Sequence, residues 1–175
     1  MRKLKLEELG RMSVEDFKEA PKRPLIVILD NIRSMHNVGS VLRTADAFAI
    51  ERVYLCGITP KPPHREIRKT AIGAEESVDW QPHDNAVELV RALKAEGVKI
   101  VSVEQTEGSI PLNAFTPESD AKYAMVMGHE VDGVDQEIIN LSDASLEIPQ
   151  FGTKHSLNVS VAAGITMYAL SQQLG

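Results

Sequence analysis

An unbroken apolar run, Leu25–Leu29, is closed by Asp30 and the polar loop Asn31–Asn37. Apolar residues without alternation mark a strand buried on both faces of a parallel sheet. From about Gly39 to Phe48 the period lengthens, and Val41, Leu42, Ala45 and Phe48 share one face of a helix. Arg52–Cys56 returns to a strand pattern, and Ser77–Trp80 reads as a short third strand. Asn85–Glu96 is predicted helical, with Ala86, Leu89, Val90 and Leu93 on its apolar stripe and Gly97 as its stop. Lys99–Val103 and Tyr123–Met127 are further strands, followed by a helix near Gln136–Leu141. A strand at Ser145–Ile148 ends at Pro149, and Leu157–Gln172 forms the last helix. Residues 1–24 stand ahead of this pattern as an N-terminal extension. It carries a short helix from Val14, capped by Ser13 and ended by Pro21 and Pro24.

Strands alternating with helices predict one α/β domain over residues 25–175, a mainly parallel sheet with helices on both faces. Ligands of such sheets bind at the carboxyl ends of the strands. Aromatic residues make up only 5% of the chain, so Val, Ile, Leu, Ala and Met must build the core. The single cysteine, Cys56, excludes an intrachain disulfide and reads as a small buried hydrophobe. The first residues are charged rather than apolar, and no apolar run approaches the ~20 residues needed to cross a bilayer. A cytoplasmic protein is expected.

A net charge of −6 argues against a nucleic-acid partner if taken alone, but phosphate affinity follows local Lys and Arg. Arg2, Lys3, Lys5, Arg11, Lys18, Lys22 and Arg23 form one basic group, mixed with acids, where a solvated helix face and an RNA contact stay equally open. His64, Arg65, Arg68 and Lys69 form a second, on a loop expected from Pro60, Pro62 and Pro63.

Several chemistries lack their residues. No Gly-x-Gly-x-x-Gly follows the first strand, and no Gly-x-x-x-x-Gly-Lys-Ser/Thr occurs. The five histidines are scattered without metal-ligand spacing, so no zinc is expected. No Gly-x-Ser-x-Gly elbow singles out a serine nucleophile.

Three polar segments follow predicted strands. In Asn37-Val38-Gly39-Ser40-Val41-Leu42-Arg43, Asn37 alone reads as an N-cap, Gly39 as a tight helix entry and Arg43 as part of a solvated helix turn; together they leave an arginine one turn into the helix, facing the strand-end crevice. Gly128-His129-Glu130-Val131-Asp132-Gly133 is a turn that exposes backbone to a ligand, or a plain strand-to-helix turn. Ser156-Leu157-Asn158 sets polar residues at the entrance of an apolar helix, with Ser156 as the cap and Asn158 just inside.

In order and spacing, Asn-x-Gly-x-x-x-Arg, Gly-x-Glu-x-x-Gly and Ile-Pro…Ser-Leu-Asn-x-Ser-x-Ala closely resemble the SpoU/TrmH family of RNA ribose 2′-O-methyltransferases, of the SPOUT class, over about residues 25–173. Ala49-Ile50 departs from the Gly that many relatives carry after Phe. The resemblance implies a C-terminal deep trefoil knot, a rare exception to unthreaded chains. It also implies a homodimer and S-adenosylmethionine (SAM) as methyl donor, with tRNA or rRNA as substrate. On that basis Val103, Glu104, Gly128, His129, Glu130, Ile148, Ser156 and Leu157 would line the SAM pocket. Arg43 would be catalytic, oriented with the ribose by Asn37, Glu130, Ser156 and Asn158. Because a guanidinium stays protonated, Arg43 would stabilise the developing alkoxide and contact a phosphate rather than act as base. Arg33, Arg43, His64, Arg65, Arg68 and Lys69 are the expected RNA contacts. Two further readings compete: a non-catalytic RNA- or SAM-binding module of the same fold, and a nucleotide-binding α/β protein of another class.

Overall fold

The computed structural model describes residues 1–174, and the strands form one sheet. β1 (Arg23–Asp30), β2 (Ile50–Cys56), β3 (Trp80–His83), β4 (Lys99–Val103), β5 (Ile110–Pro111), β6 (Tyr123–Met127) and β7 (Ala144–Glu147) are ordered 3-2-1-6-4-7-5. Every strand pair is parallel. β1 lies between β2 and β6 and buries both faces, as its unbroken apolar run requires. Leu25, Val27 and Leu29 enter one core layer, and Ile26 and Ile28 the other.

The first layer is covered by α2 (Met35–Ala47), α3 (Arg65–Ala71) and α7 (Val159–Ser171). The second is covered by α5 (Ala86–Ala95) and α6 (Gln136–Leu141). Helices therefore cover both faces, as expected. α1 (Val14–Glu19) is capped by Ser13, whose hydroxyl accepts the Asp16 N–H at 3.0 Å. Cys56 is fully buried, and burial, aided by nearby Asp30, pushes its thiol up to about 12. That thiol is packing, not chemistry.

Four expectations need correction. The Pro60–Lys69 loop is in part a helix, since α3 starts directly after His64, whose Nδ1 accepts the Glu66 N–H at 3.2 Å. Ser77 ends α4 (Ala74–Ser77), so the third strand begins only at Trp80. α2 starts a turn before Gly39, because Ser34 caps it by accepting the Asn37 N–H at 3.3 Å. Asn37 is thus the third residue of the helix, not its cap. Gly39 consequently lies inside α2, where a Cβ would collide with the Thr70 hydroxyl and the Ile67 carbonyl of α3. It is glycine because two helices touch there, not because the chain turns. Thr70 fills the contact, its hydroxyl donating to the His36 carbonyl at 3.0 Å.

Candidate active site

The carboxyl ends of β4, β6 and β7 open onto a cleft of about 970 Å³. All eight residues expected to hold a cofactor line it: Val103, Glu104, Gly128, His129, Glu130, Ile148, Ser156 and Leu157. Its shape depends on two glycines. A Cβ on Gly128 would strike the Gly133 backbone, and Gly133 adopts φ +73° with its α-carbon against the Glu104 carboxylate. The turn is therefore folded tightly on itself, with an isolated bridge between His129 and Gly133. Glu104 pins it by accepting the Val134 N–H at 3.0 Å, while its other oxygen accepts the Gln105 N–H at 2.8 Å.

At the rim, the three polar segments are joined by hydrogen bonds. Glu130 accepts the backbone N–H of Arg33 at 3.0 Å, that of Ser34 at 3.1 Å, and the Asn37 Nδ2 at 3.2 Å. Asn37 Oδ1 in turn accepts from Asn158 Nδ2 at 3.1 Å. Partial burial alone would raise the Glu130 carboxyl, but donation from Arg33 and Ser34 outweighs it and holds the group below the usual carboxylate range. The clamp hence keeps its charge at neutral pH and loses it only as pH falls below the ordinary carboxylate value.

Asn158 is the cap of α7 rather than a residue inside it. Its Oδ1 accepts from the Ser160 N–H at 2.9 Å and the Ser160 hydroxyl at 2.7 Å. Ser156, read as the cap, instead lines the cleft. One asparagine thus starts α7 with one side-chain atom and fixes Asn37 with the other. Asn158→Ala is expected to cost about 1 kcal/mol of stability through the lost cap. It should also lower turnover more than it weakens cofactor binding, read by chemical denaturation alongside kcat and KM.

Arg43 stands apart from the cleft wall. It is the ninth residue of α2, more than two turns in rather than one, and about 9 Å along the axis from Asn37. It is exposed, and its guanidinium has no hydrogen bond or ion pair among the described residues. It does not line the cleft, which corrects the expectation that it faces the crevice. Arg33 and Arg65 are likewise exposed with unpaired side chains among the described residues. Arg68 pairs with Glu75 and Glu76, and Lys69 with Glu66 at 2.7 Å. The Arg68–Glu76 and Lys69–Glu66 pairs are open to solvent, contribute little and can yield to a phosphate, whereas Glu75 is nearly buried and holds Arg68 in place. Gln105 was not marked by any sequence pattern. Its Nε2 donates to the His155 carbonyl at 2.7 Å and ties the loop after β7 to the loop after β4.

The cleft's charge limits what it can hold. Glu104, Glu107, Glu130, Asp132 and Glu147 line it, together with His129, and no Lys or Arg does. Val103, Leu146, Ile148 and Leu157 add apolar wall. A phosphorylated nucleotide would meet carboxylates where it needs cations.

The family model described as SpoU rRNA Methylase family matches residues 24–168. The chain belongs to this family. Among curated relatives, the 23S rRNA (guanosine-2'-O-)-methyltransferase RlmB of Neisseria meningitidis is 36% identical over 169 residues, covering 94% of this chain and 65% of that protein. The tRNA (guanosine(18)-2'-O)-methyltransferase of Aquifex aeolicus is 31% identical over 166 residues, covering 91% of this chain and 74% of that protein. The solved TrmH/SpoU tRNA modifying enzyme of A. aeolicus superposes with a TM-score of 0.80 at 28% identity, over 91% of this chain and 81% of that one. An AdoMet-bound rRNA methyltransferase from Sinorhizobium meliloti superposes at 0.79 with 27% identity, over 89% and 59% of the two chains. This SpoU family chain spans 65–66% of the length of the first curated rRNA relatives.

Proposed function

We propose that this SpoU family chain is a SAM-dependent methyltransferase acting on a ribose 2′-hydroxyl of rRNA or tRNA. The observation that carries the reading is the hydrogen-bonded convergence of Asn37, Glu130 and Asn158 at the rim of an acid-lined cleft. SAM fits that cleft: a sulfonium and an ammonium suit carboxylate walls without Lys or Arg, and the adenine suits the Val103, Ile148 and Leu157 surface. When bound, it supplies an electrophilic methyl group. Val103, Glu104, Gly128, His129, Glu130, Ile148, Ser156 and Leu157 hold it.

The chain's own contribution is positioning and charge. Asn37 and Asn158 fix the start of α2 against the start of α7, and Glu130 locks the Arg33–Ser34 loop beside them. Arg43, unpaired and exposed, is the cation for the RNA: it contacts a phosphate and stabilises negative charge on the 2′-oxygen as the hydroxyl proton passes to solvent at the open rim. Arg33, His64, Arg65, Arg68 and Lys69 extend that surface to the RNA backbone. Neutralisation of charge in the transfer favours a site from which water is excluded.

Segment 1–24 is an extension of the 25–175 methyltransferase domain. The order β4-β7-β5, with β7 inserted between two strands laid down before it, supports a C-terminal trefoil knot. Val161, Ile165 and Tyr168 form an exposed apolar stripe at helical spacing on α7, which supports a homodimer. Among the described residues no helix is long and apolar enough to cross a membrane. A cytoplasmic RNA-modifying enzyme is the reading that joins these features.

The test is a thermal shift with SAM, ATP and NAD, followed by methyl transfer to unmodified rRNA and tRNA. SAM alone is expected to raise the melting temperature. Stabilisation by ATP or NAD instead would sink the proposal, and SAM binding without transfer would make the chain a non-catalytic module.

A further inference from the structure

Resting on the methyltransferase reading, we infer that Phe151 is a stacking platform for an RNA base at the mouth of the cleft, with Lys154 as its neighbouring phosphate contact. Aromatic residues are few, and among those described only Phe151 and Tyr168 are exposed, at 98% and 56%. Tyr168 has a ring neighbour in Phe48 and belongs to the α7 stripe. The Phe151 ring has no aromatic neighbour among the described residues. It sits on the loop between β7 and α7, between Gln150 and Ser156, both of which line the cleft.

Charge points the same way. The chain holds 25 acidic residues, yet none follows Glu147. The segment carrying Phe151 thus adds no carboxylate of its own to an otherwise acidic cleft. Lys154 and His155, within four residues of the ring, are exposed and their side chains have no hydrogen bond or ion pair among the described residues. Asn158, three residues on, bonds Asn37 of α2, so this loop and the helix carrying Arg43 meet at one edge. A solvent-facing aromatic ring beside an unpaired lysine is how single-stranded nucleic acid is held, because every base offers a face to stack on. A stacked base would hold its nucleoside beside the donor and limit the orientations of its 2′-hydroxyl.

The competing occupant is a second copy of this chain, whose surface would bury the ring. The full chain would be compared with Phe151→Ala and Phe151→Trp, using a fluorescein-labelled single-stranded RNA of mixed sequence, calorimetry with SAM, and sedimentation. Phe151→Ala is expected to weaken RNA binding roughly tenfold, leaving SAM affinity and oligomeric state unchanged. Phe151→Trp should retain binding, and RNA should quench its emission beyond any change seen from Trp80 in the parent. Unaltered RNA affinity in Phe151→Ala, or an unquenched tryptophan, overturns the proposal. So does a change of oligomeric state in Phe151→Ala, which would assign the ring to a copy interface. Failure of the parent chain to bind SAM would instead remove the methyltransferase reading, and the calorimetric arm separates the two.

Discussion

Replacing Arg43 by Lys should lower turnover by about 100-fold or more while leaving the affinity for SAM nearly unchanged. The split follows from geometry. Arg43 lines no part of the cleft, so a cofactor there loses nothing when it changes. Its guanidinium is unpaired among the described residues and exposed on α2, so on the proposed function its partners come from the RNA. A planar fork can bond a phosphate and the developing oxyanion together, whereas an ammonium offers a point charge without that fixed geometry. Single-turnover rates with saturating RNA, beside calorimetric SAM affinities, would test this. Unimpaired single-turnover rates would remove Arg43 from the chemistry, and a matching loss of SAM affinity would move it into the cofactor site.

Gly39→Ala should destabilise the fold by about 3 kcal/mol or more, although alanine is the better helix former. At an exposed helix position the change would gain about 1 kcal/mol. Here the new Cβ meets the Ile67 carbonyl, which is backbone and cannot swing aside, as well as the Thr70 hydroxyl. Relief requires α2 and α3 to separate, which opens the layer holding Val38, Leu42 and Ile67. Because α2 also carries Asn37 and Arg43, activity should fall with stability. Urea denaturation gives the energy, and a Gly39→Ala chain as stable as the parent would mean that the helices do not touch at that point.

The elements most legible in the sequence were those buried on both sides or sharply bounded. Tyr123–Met127 and Gln136–Leu141 are strand and helix over the ranges their patterns predict. The first is apolar between Lys122 and Gly128, and the second opens at a capping aspartate, Asp135. α3 was not legible: only Ile67 and Ala71 are buried among its seven residues, too few to show a period, and three prolines just ahead suggested a loop. β5 has two residues and no pattern to read.

The site divides in the same way. Its side chains could be named from the family resemblance that three motifs carry, and the cleft gathers all the residues which that resemblance implied for the cofactor. Their bonding was hidden because Glu130 is held by backbone donors, and an N–H carries no mark of which acid it will meet. Asn37 is the third residue of its helix where a cap was expected, and Asn158 is the cap where a residue inside the helix was expected. A cap is recognised by where the helix starts, and α2 starts earlier and α7 later than their apolar stripes suggest. Phe151 carries no mark in the sequence because a single aromatic residue in a loop has no period, although the lack of any acid after Glu147 is legible there.

The bond between Asn37 and Asn158 joins residues 121 positions apart, and that between Asn37 and Glu130 spans 93. Closing such loops costs chain entropy that is recovered only when both ends have docked, so contacts of this range slow folding. A chain with β1 and α2 already formed still lacks every partner that Asn37 needs. The site is therefore complete only once α7 has seated against α2, and it loses the Asn37–Asn158 bond when that helix detaches. The constellation doubles as a proofreader of the protein's own assembly, since no form with α7 detached carries all of it.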